Sequence, residues 1–212
     1  MKIEILTLFP KMFDGPLSES ILKRAVEDKK IEIVVHNLRD WAQDKHRTAD
    51  LPPYGGGPGM VMKVDVIDKA VEDLRQKKSR VILLDTKGPI YTQKKAKKLS
   101  KIEHLILIAG HYEGVDHRVH KHIVDEVISI GEYVLTGGEI PVMVVVDSVV
   151  RLLPKVLGNS ESLEGESYNQ GSDRSAPKYT RPEKYKTWKV PKVLLSGDHK
   201  KIEEWRKSET KK

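Results

Sequence analysis

The chain alternates short apolar runs with longer amphipathic stretches. Two of the runs, Ile31–Val35 and Leu105–Ile108, are almost wholly apolar, which is typical of strands covered on both faces in a mostly parallel sheet. The stretches between the runs are typical of helices that pack on both faces of such a sheet. The pattern therefore predicts an α/β fold with elements in the order Lys2–Phe9, Leu17–Lys29, Ile31–Asn37, Val64–Lys77, Arg80–Asp85, Thr92–Leu99, His104–Ala109 and Glu126–Ile130.

The last third of the chain predicts a buried helix, a linker and a small second domain. Gly138–Leu153 is very apolar and is interrupted by Pro141, Asp147 and Arg151, which favours a buried helix that carries a few polar groups. After Gly158 the sequence becomes rich in Ser, Gly, Glu and Asn, a composition typical of mobile linkers. We predict a first domain at 1–158, a flexible linker at 159–175 and a small, helical C-terminal domain at 176–212.

The charge of the chain is concentrated at one end. The 212 residues carry a formal net charge of +7, and Lys178 to Lys212 alone contain 12 basic and 5 acidic residues. Four aromatic residues lie among these charges, namely Tyr179, Tyr185, Trp188 and Trp205. Cations interleaved with stacking surfaces favour nucleic acid over a membrane as the partner. The alternative is a small helical lobe with tryptophans in its core and lysines that only keep it soluble.

Several classes of protein are excluded. The absence of cysteine rules out disulfides and thiolate metal sites. No apolar stretch is long enough to cross a bilayer, so we expect a soluble, cytoplasmic protein. Four histidines surround Asp116, namely His111, His117, His120 and His122. They lack the i, i+4 spacing of a zinc helix, and we expect no metal site.

Three glycine-bearing turns follow predicted strands: Asp85–Gly88, Gly110–Gly114 and Leu135–Glu139. In an open α/β sheet, ligands bind beyond the carboxyl ends of the strands, so the three turns could converge on one pocket. None of them is a dinucleotide or nucleoside triphosphate motif, which favours a flat ligand without phosphates. Taken singly, each turn could also be a plain connection.

A long loop, His46–Met60, contains two adjacent prolines and four glycines. Loops of this length are usually functional or disordered. Its glycines could offer N–H donors to an anion, and Arg47 and Asp50 could contact phosphate and base edges. The alternative is a flexible surface excursion.

These residues are part of a wider resemblance that runs over nearly the whole chain. The blocks LFPKMF, HRTADLPPYGGGPGM, GHYEGVDHRV, SIGEYVLTGGEIPVM, DSVVRLLPKVLG, YTRPE and LLSGDHKKIEEWR, in this order, closely resemble the bacterial tRNA (guanine-N1)-methyltransferases. The resemblance implies a homodimeric, SPOUT-type α/β domain with a deep trefoil knot. It also implies tRNA as the partner, rather than DNA or a membrane, and methylation of N1 of guanosine 37, just 3′ of the anticodon.

The resemblance implies S-adenosyl-L-methionine as the cofactor. The positions that match the family's cofactor pocket are Leu84, Asp85, Thr86, Gly110, Tyr112, Glu113, Ser129, Ile130, Tyr133, Leu135, Gly137, Gly138 and Pro141. The positions that match its guanosine contacts are Asp50 and the Tyr54–Gly59 loop, including Tyr54, Gly55 and Gly59. A Mg²⁺ requirement is also compatible with the family, although the sequence shows no dedicated ligand cage.

Guanine N1 carries a proton, so its methylation needs a general base and a donor for the charge that develops on O6. By resemblance, Arg151 is the donor, and its alternative role is to cap a helix or form an ion pair. Glu166 matches the base, but relatives usually have Asp there, and the uncertain register of the linker leaves Asp173 as a second candidate. Both acids could also be solvated linker residues.

The sequence departs from the family pattern in two further places. Asp85–Gly88 lacks the Ser-Pro-Gln of many relatives, so cofactor contacts there would use backbone groups or Asp85 itself. The basic C-terminal domain is expected to be shortened, with a weaker hold on tRNA or compensation by its charge. Two other functions stay open: methylation of a ribose 2′-hydroxyl or of ribosomal RNA, and RNA binding without catalysis.

Overall fold

The computed structural model describes residues 1–158, 166–168 and 174–210. It divides into two compact units, Met1–Leu157 and Gly158–Lys212. Most of the predicted linker, 159–175, lies outside the described residues.

The first unit is built on a five-stranded sheet in which every neighbouring pair of strands is parallel. The strand order is β2-β1-β6-β5-β7. The strands span β1 (Lys2–Thr7), β2 (Glu32–Asn37), β5 (Ser79–Leu84), β6 (His104–Ala109) and β7 (Glu126–Ile128), and a separate two-stranded ladder pairs β3 (Asp50–Leu51) with β4 (Val61–Met62). Because the five strands are parallel, their carboxyl ends share one edge of the sheet.

Helices cover both faces of this sheet, which confirms the predicted α/β architecture. They span α1 (Ser20–Glu27), α2 (Val64–Leu74), α3 (Gln93–Leu99) and α4 (Glu139–Val150). One core cluster joins α1, α3 and α4 to one face of the sheet, and a second joins α2 to the other face. Strands β5 and β6 alternate between the two clusters; Ile82 belongs to the first and Leu83 to the second. The knot implied by the resemblance stays a prediction.

The histidine-rich segment forms one turn of π-helix at Val119–Ile123, where the sequence pattern predicted no regular element. Val119 and Ile123 are buried in the second core cluster. A π-helical turn joins residues i and i+5 by hydrogen bonds, whereas an α-helical turn joins i and i+4. The His120 side chain therefore points in a direction that α-helical spacing does not predict.

The second unit contains a β-hairpin as well as helices. Its elements are β8 (Lys184–Tyr185), β9 (Trp188–Lys189), α5 (Lys192–Leu195) and α6 (His199–Thr210). Asp198 caps helix α6 by accepting a hydrogen bond from the backbone N–H of Lys201 at 3.1 Å. The prediction of a helical domain was therefore incomplete, because two-residue strands leave too little periodicity to be recognised.

Candidate functional site

Three turns converge at the carboxyl edge of the sheet around one cavity of about 260 Å³. They follow β5, β6 and β7 and belong to the segments 84–87, 110–114 and 128–138. All thirteen residues that the resemblance assigns to the cofactor line this cavity. The remaining lining residues are Lys87, His111, Gly114, Ile128, Gly131, Val134 and Thr136.

Glycine allows the turns to approach each other backbone to backbone. The Gly138 N–H donates to the Gly110 carbonyl at 2.6 Å. A Cβ on Gly138 would lie 2.7 Å from the Gly110 nitrogen and 2.8 Å from Ala109 Cα, and a Cβ on Gly88 would lie 2.6 Å from the Ile128 nitrogen. Any side chain at Gly88 or Gly138 would push backbone segments apart, so glycine sets the shape of the cavity.

Asp85 is fixed by two hydrogen bonds. Its Oδ1 accepts from the backbone N–H of Lys87 at 2.9 Å, and its Oδ2 lies 3.0 Å from His120 Nε2. The side chains of Asp85 and His120 are 13% and 8% exposed. Because an ionised carboxylate only accepts hydrogen bonds, Nε2 carries the proton that is shared with Asp85. The Asp85–His120 pair therefore holds the first turn in place.

A buried carboxylate, Glu139, fixes the second turn. Its side chain is fully buried in the first turn of α4, where the helix dipole favours a negative charge. Thr7 Oγ1 donates to Glu139 Oε1 at 2.8 Å, and His111 Nδ1 lies 3.3 Å from Oε2. The His111 ring also packs against Phe9 at a centroid distance of 4.5 Å. These contacts hold His111 at the wall of the cavity.

The long glycine loop is anchored to the second turn. The Glu113 N–H donates to the Met60 carbonyl and the Met62 N–H donates to the Gly114 carbonyl, both at 3.0 Å. A Cβ on Gly59, whose φ is +81°, would lie 2.5 Å from Glu113 Cγ. The end of the loop that carries Gly59 therefore lies directly beside the cavity.

The rest of this loop divides into a fixed base and an exposed tip. Asp50 lies in β3 and is 14% exposed, with its Oδ2 accepting from Arg39 Nη2 at 3.3 Å. Tyr54 is fully exposed. Gly55 has a φ of +86°, a conformation that favours glycine.

The two candidate catalytic residues lie in different units. Arg151 directly follows α4, and its backbone N–H donates to the Asp147 carbonyl at 3.2 Å. Glu166 is partly buried, next to Ser167, whose Oγ accepts from the Ser175 N–H at 2.9 Å. Asp173 lies outside the described residues.

The described part of the chain contains no group of three or more His, Cys, Asp or Glu residues that could hold a metal ion. In the histidine-rich segment, Arg118 donates to both oxygens of Asp116 at 2.9 and 2.7 Å. These hydrogen bonds lower the pKa of Asp116 to about 2, so its carboxylate is ionised and paired with Arg118. His120 is engaged with Asp85.

The whole chain is similar to known proteins. The family described as tRNA (guanine-1)-methyltransferase TrmD matches residues 1–212. The tRNA (guanine-N(1)-)-methyltransferase of Dictyoglomus turgidum is 55% identical over 212 residues, which cover 100% of this chain and 86% of the relative. The enzymes of the same name from Bacillus pumilus and Bacillus subtilis are 54% and 52% identical over 215 and 213 residues; the alignments cover 100% and 99% of this chain, and 88% and 87% of the relatives. The chain belongs to the tRNA (guanine-N1)-methyltransferase family. It is therefore a methyltransferase.

Two contacts of this methyltransferase, Glu139 with Thr7 and His120 with Asp85, were not predicted from the sequence. An acidic residue that opens an otherwise apolar helix is a signal for Glu139, because such a charge is buried only when it is paired. His120 gives no comparable signal, since its partner Asp85 is 35 residues away and a π-turn brings them together. In the described ranges, no helix is long and apolar enough to span a membrane.

Proposed function

We propose that the enzyme transfers the methyl group of S-adenosyl-L-methionine to N1 of guanosine 37 in tRNA. The observation that carries this proposal is a cavity at the carboxyl edge of the sheet, which is lined by every residue that the family resemblance assigns to the cofactor. Full-length similarity to enzymes named for guanine-N1 methylation supports the choice of substrate. Because the proposed substrate is tRNA, we propose the cytoplasm as the site of action.

The cavity fits the proposed cofactor in size and chemistry. Small-molecule sites start at roughly 300 Å³, close to the 260 Å³ found here. Gly110 and Gly138 line the cavity without a side chain, so a ligand can come close to their backbone. When bound, S-adenosyl-L-methionine supplies a methyl group that is activated by its positive sulfonium. The protein supplies alignment.

The anchored glycine loop is suited to hold the target guanosine beside this cavity. Gly59 lies against Glu113, so the guanosine contacts expected from Tyr54, Gly55 and Gly59 would start at the cavity wall. Asp50 keeps its carboxylate in place through Arg39. A carboxylate oxygen held in this way is a suitable acceptor for the N–H groups of a guanine edge.

The catalytic step requires the N1 proton to leave as the new N1–carbon bond forms. In our proposal Glu166 would accept that proton, and negative charge would develop on O6 as the proton leaves, where the guanidinium of Arg151 would donate hydrogen bonds. The electrons of the N–H bond would form the new N1–carbon bond, while the bond between the methyl carbon and sulfur would break and leave a neutral thioether. Asp173 is the alternative base.

We further propose that the enzyme acts as a homodimer. Large apolar side chains are exposed around the start of α4: Val134 is 87% exposed, Ile140 48% and Val144 40%. Exposed apolar patches of this kind mark protein interfaces, and a second copy of the chain would cover them. For Mg²⁺, the described residues offer no cluster of ligands, and we derive no step through it.

The chemistry is tested by identifying the modified nucleoside. Methylated tRNA would be digested to nucleosides and separated by mass spectrometry against standards. We expect 1-methylguanosine. A ribose 2′-O-methylated product would overturn the proposal, and a calorimetric titration with S-adenosyl-L-methionine that shows no heat would leave only RNA binding.

The base is tested by single-turnover methylation. We expect Glu166→Gln to abolish turnover while cofactor affinity stays nearly the same, because the amide cannot accept the N1 proton. Asp173→Asn is the matched variant and should react normally. Normal turnover by Glu166→Gln would refute the assignment, and loss of turnover in Asp173→Asn alone would move the role to Asp173.

A further inference from the structure

The structure separates the four aromatic residues of the basic segment Lys178–Lys212 into two pairs. Trp205, in α6, is partly buried and contacts Tyr179 at a ring-centroid distance of 6.3 Å. Tyr185 and Trp188 face each other across the β8–β9 hairpin and are 56% and 66% exposed. In the first pair Trp205 is partly buried and Tyr179 is 51% exposed, whereas both rings of the second pair are exposed to solvent.

The exposed rings form one surface with a lysine. The Tyr185 and Trp188 centroids are 5.7 Å apart, with an angle of 49° between the ring planes. Lys186 Nζ lies 5.4 Å from the Tyr185 centroid and 5.8 Å from the Trp188 centroid, within cation–π range of both. Lys184 and Lys189 pair across the base of the same hairpin. We refer to the hairpin Lys184–Lys189 as the aromatic hairpin.

Two features of the aromatic hairpin cost the unit stability. Lys186 has a φ of +54°, a conformation in which glycine is unstrained and lysine is not. The exposed ring of Trp188 leaves apolar area in water that burial would stabilise. Strain and exposed aromatic area that do not stabilise the unit point to a contact with a partner.

We propose that the aromatic hairpin binds an unstacked base of the tRNA. The base would stack on Trp188 and Tyr185, and the three lysines would contact the phosphates on either side. Charge complementarity selects this occupant, because the six residues carry three cations and no acid, and every base in RNA is flanked by phosphates. The proposal rests on tRNA as the substrate and adds a site that reads no sequence, since every base has a stacking face.

Stacking and charge make separable contributions. A stacking contact responds weakly to salt, whereas each lysine–phosphate contact adds roughly 0.7 to the slope of log affinity against log salt for a single strand. We expect Trp188→Ala to weaken tRNA binding about tenfold at every salt concentration without changing this slope. The triple variant Lys184→Gln, Lys186→Gly, Lys189→Gln should lower the slope by about 2.

Matched variants distinguish loss of stacking from loss of fold. Trp188→Phe keeps a ring and should retain most of the affinity. Lys186→Gly removes the central cation at a position where glycine relaxes the backbone, so it cannot unfold the hairpin through strain. Leu195→Ala, at a 48% exposed residue of α5 in the same unit, should leave tRNA affinity unchanged.

The experiment measures tRNA dissociation constants by fluorescence anisotropy with the full chain, and sedimentation velocity on the same samples. Unchanged affinity in Trp188→Ala would overturn the proposal. Dissociation of a protein oligomer in Trp188→Ala would also overturn it, because the hairpin would then contact a second copy. If the wild-type enzyme binds no tRNA at all, the proposal that tRNA is the substrate is refuted. If the wild-type enzyme binds tRNA but substitution of Trp188 has no effect, only the proposed role of the aromatic hairpin is refuted.

Discussion

At the scale of single residues, the cavity depends on Gly138 having no side chain. We expect Gly138→Ala to weaken cofactor binding at least tenfold and to destabilise the fold by about 1–3 kcal/mol, because the new Cβ would meet the Gly110 and Ala109 backbones. Calorimetric titration and thermal unfolding measure the two effects. Gly15→Ala is the control, since a Cβ there meets nothing within 4 Å. Equal cofactor affinity in the two variants would contradict the proposed role of the turn.

A second prediction at this scale concerns the hydrogen bond between His120 and Asp85. His120→Ala should leave a largely buried carboxylate without its donor and weaken cofactor binding about tenfold, since removing one partner of a buried charged bond costs roughly 1–3 kcal/mol. His120→Gln offers an amide N–H in a similar position and should recover much of the affinity. His122 is exposed, and His122→Ala is the control. Failure of Gln to recover any affinity would show that His120 acts only through packing.

The sequence predicts that the three turns converge, because each turn directly follows its own strand. Glycines after β5 and β6 indicate turns, and the rule that ligands bind at the carboxyl ends of parallel strands predicts that the turns converge. Contacts between distant segments are not predictable in this way. The pairing of Asp85 with His120 and of Glu139 with Thr7 depends on how the chain folds back, which leaves no periodic trace.

At the scale of elements, hydrophobic periodicity predicts the sheet and its helices with small errors at their ends. β6 matches the prediction at both ends, whereas β1 ends at Thr7, two residues early, since the Phe9 N–H donates to Thr7 Oγ1 at 2.9 Å and a 3₁₀ turn begins at Pro10. The order of the strands is not predictable from periodicity. β1 lies between β2 and β6 because of pairing across long stretches of sequence.

A buried polar cluster joins the strands near their amino ends. It contains Glu4 in β1 and His104 in β6, with side chains 2% and 5% exposed. Burial lowers the pKa of His104 below its ordinary 6.5. Burial opposes ionisation of Glu4, but hydrogen bonds from His36 and Lys2 outweigh it and hold the pKa of Glu4 below 4.5. The folded protein therefore keeps His104 neutral and Glu4 charged where the unfolded chain would bind protons.

The Glu4–His104 cluster predicts that the free energy of unfolding decreases as the pH falls. As the pH falls below about 6.5, the unfolded chain protonates His104 before the folded protein does, so the free energy of unfolding decreases, by at most about 1.4 kcal/mol per pH unit for one proton. Protonation of Glu4 lowers the free energy of unfolding further below about pH 4.5.

Urea unfolding at pH 5.5 and 7.5 measures the effect of His104. His104→Asn, which can keep the bond to Ser79, should reduce the difference, and the exposed His46→Asn should not. Stability independent of pH between 5.5 and 7.5 would contradict this account.

At the scale of the whole molecule, the net charge and the proposed cofactor cavity belong to different parts of the chain. The net charge of +7 is carried by Lys178 to Lys212, and the cavity belongs to the first unit. Raising the salt concentration from 50 to 200 mM should weaken tRNA affinity by at least tenfold and change cofactor affinity by less than twofold, because counterions are released only from the RNA. Parallel titrations of the two ligands make the comparison. Equal salt dependence would contradict the separation.

The central claim is that the enzyme methylates one guanosine, directly 3′ of the anticodon, with the cofactor bound in the cavity and a linker carboxylate as the base. Two tRNA transcripts that differ only in having G or A at that position test it most directly, with incorporation of a labelled methyl group as the readout. The account predicts about one methyl group per tRNA for the G transcript and none for the A transcript. Methylation of both transcripts, or of neither, would contradict it.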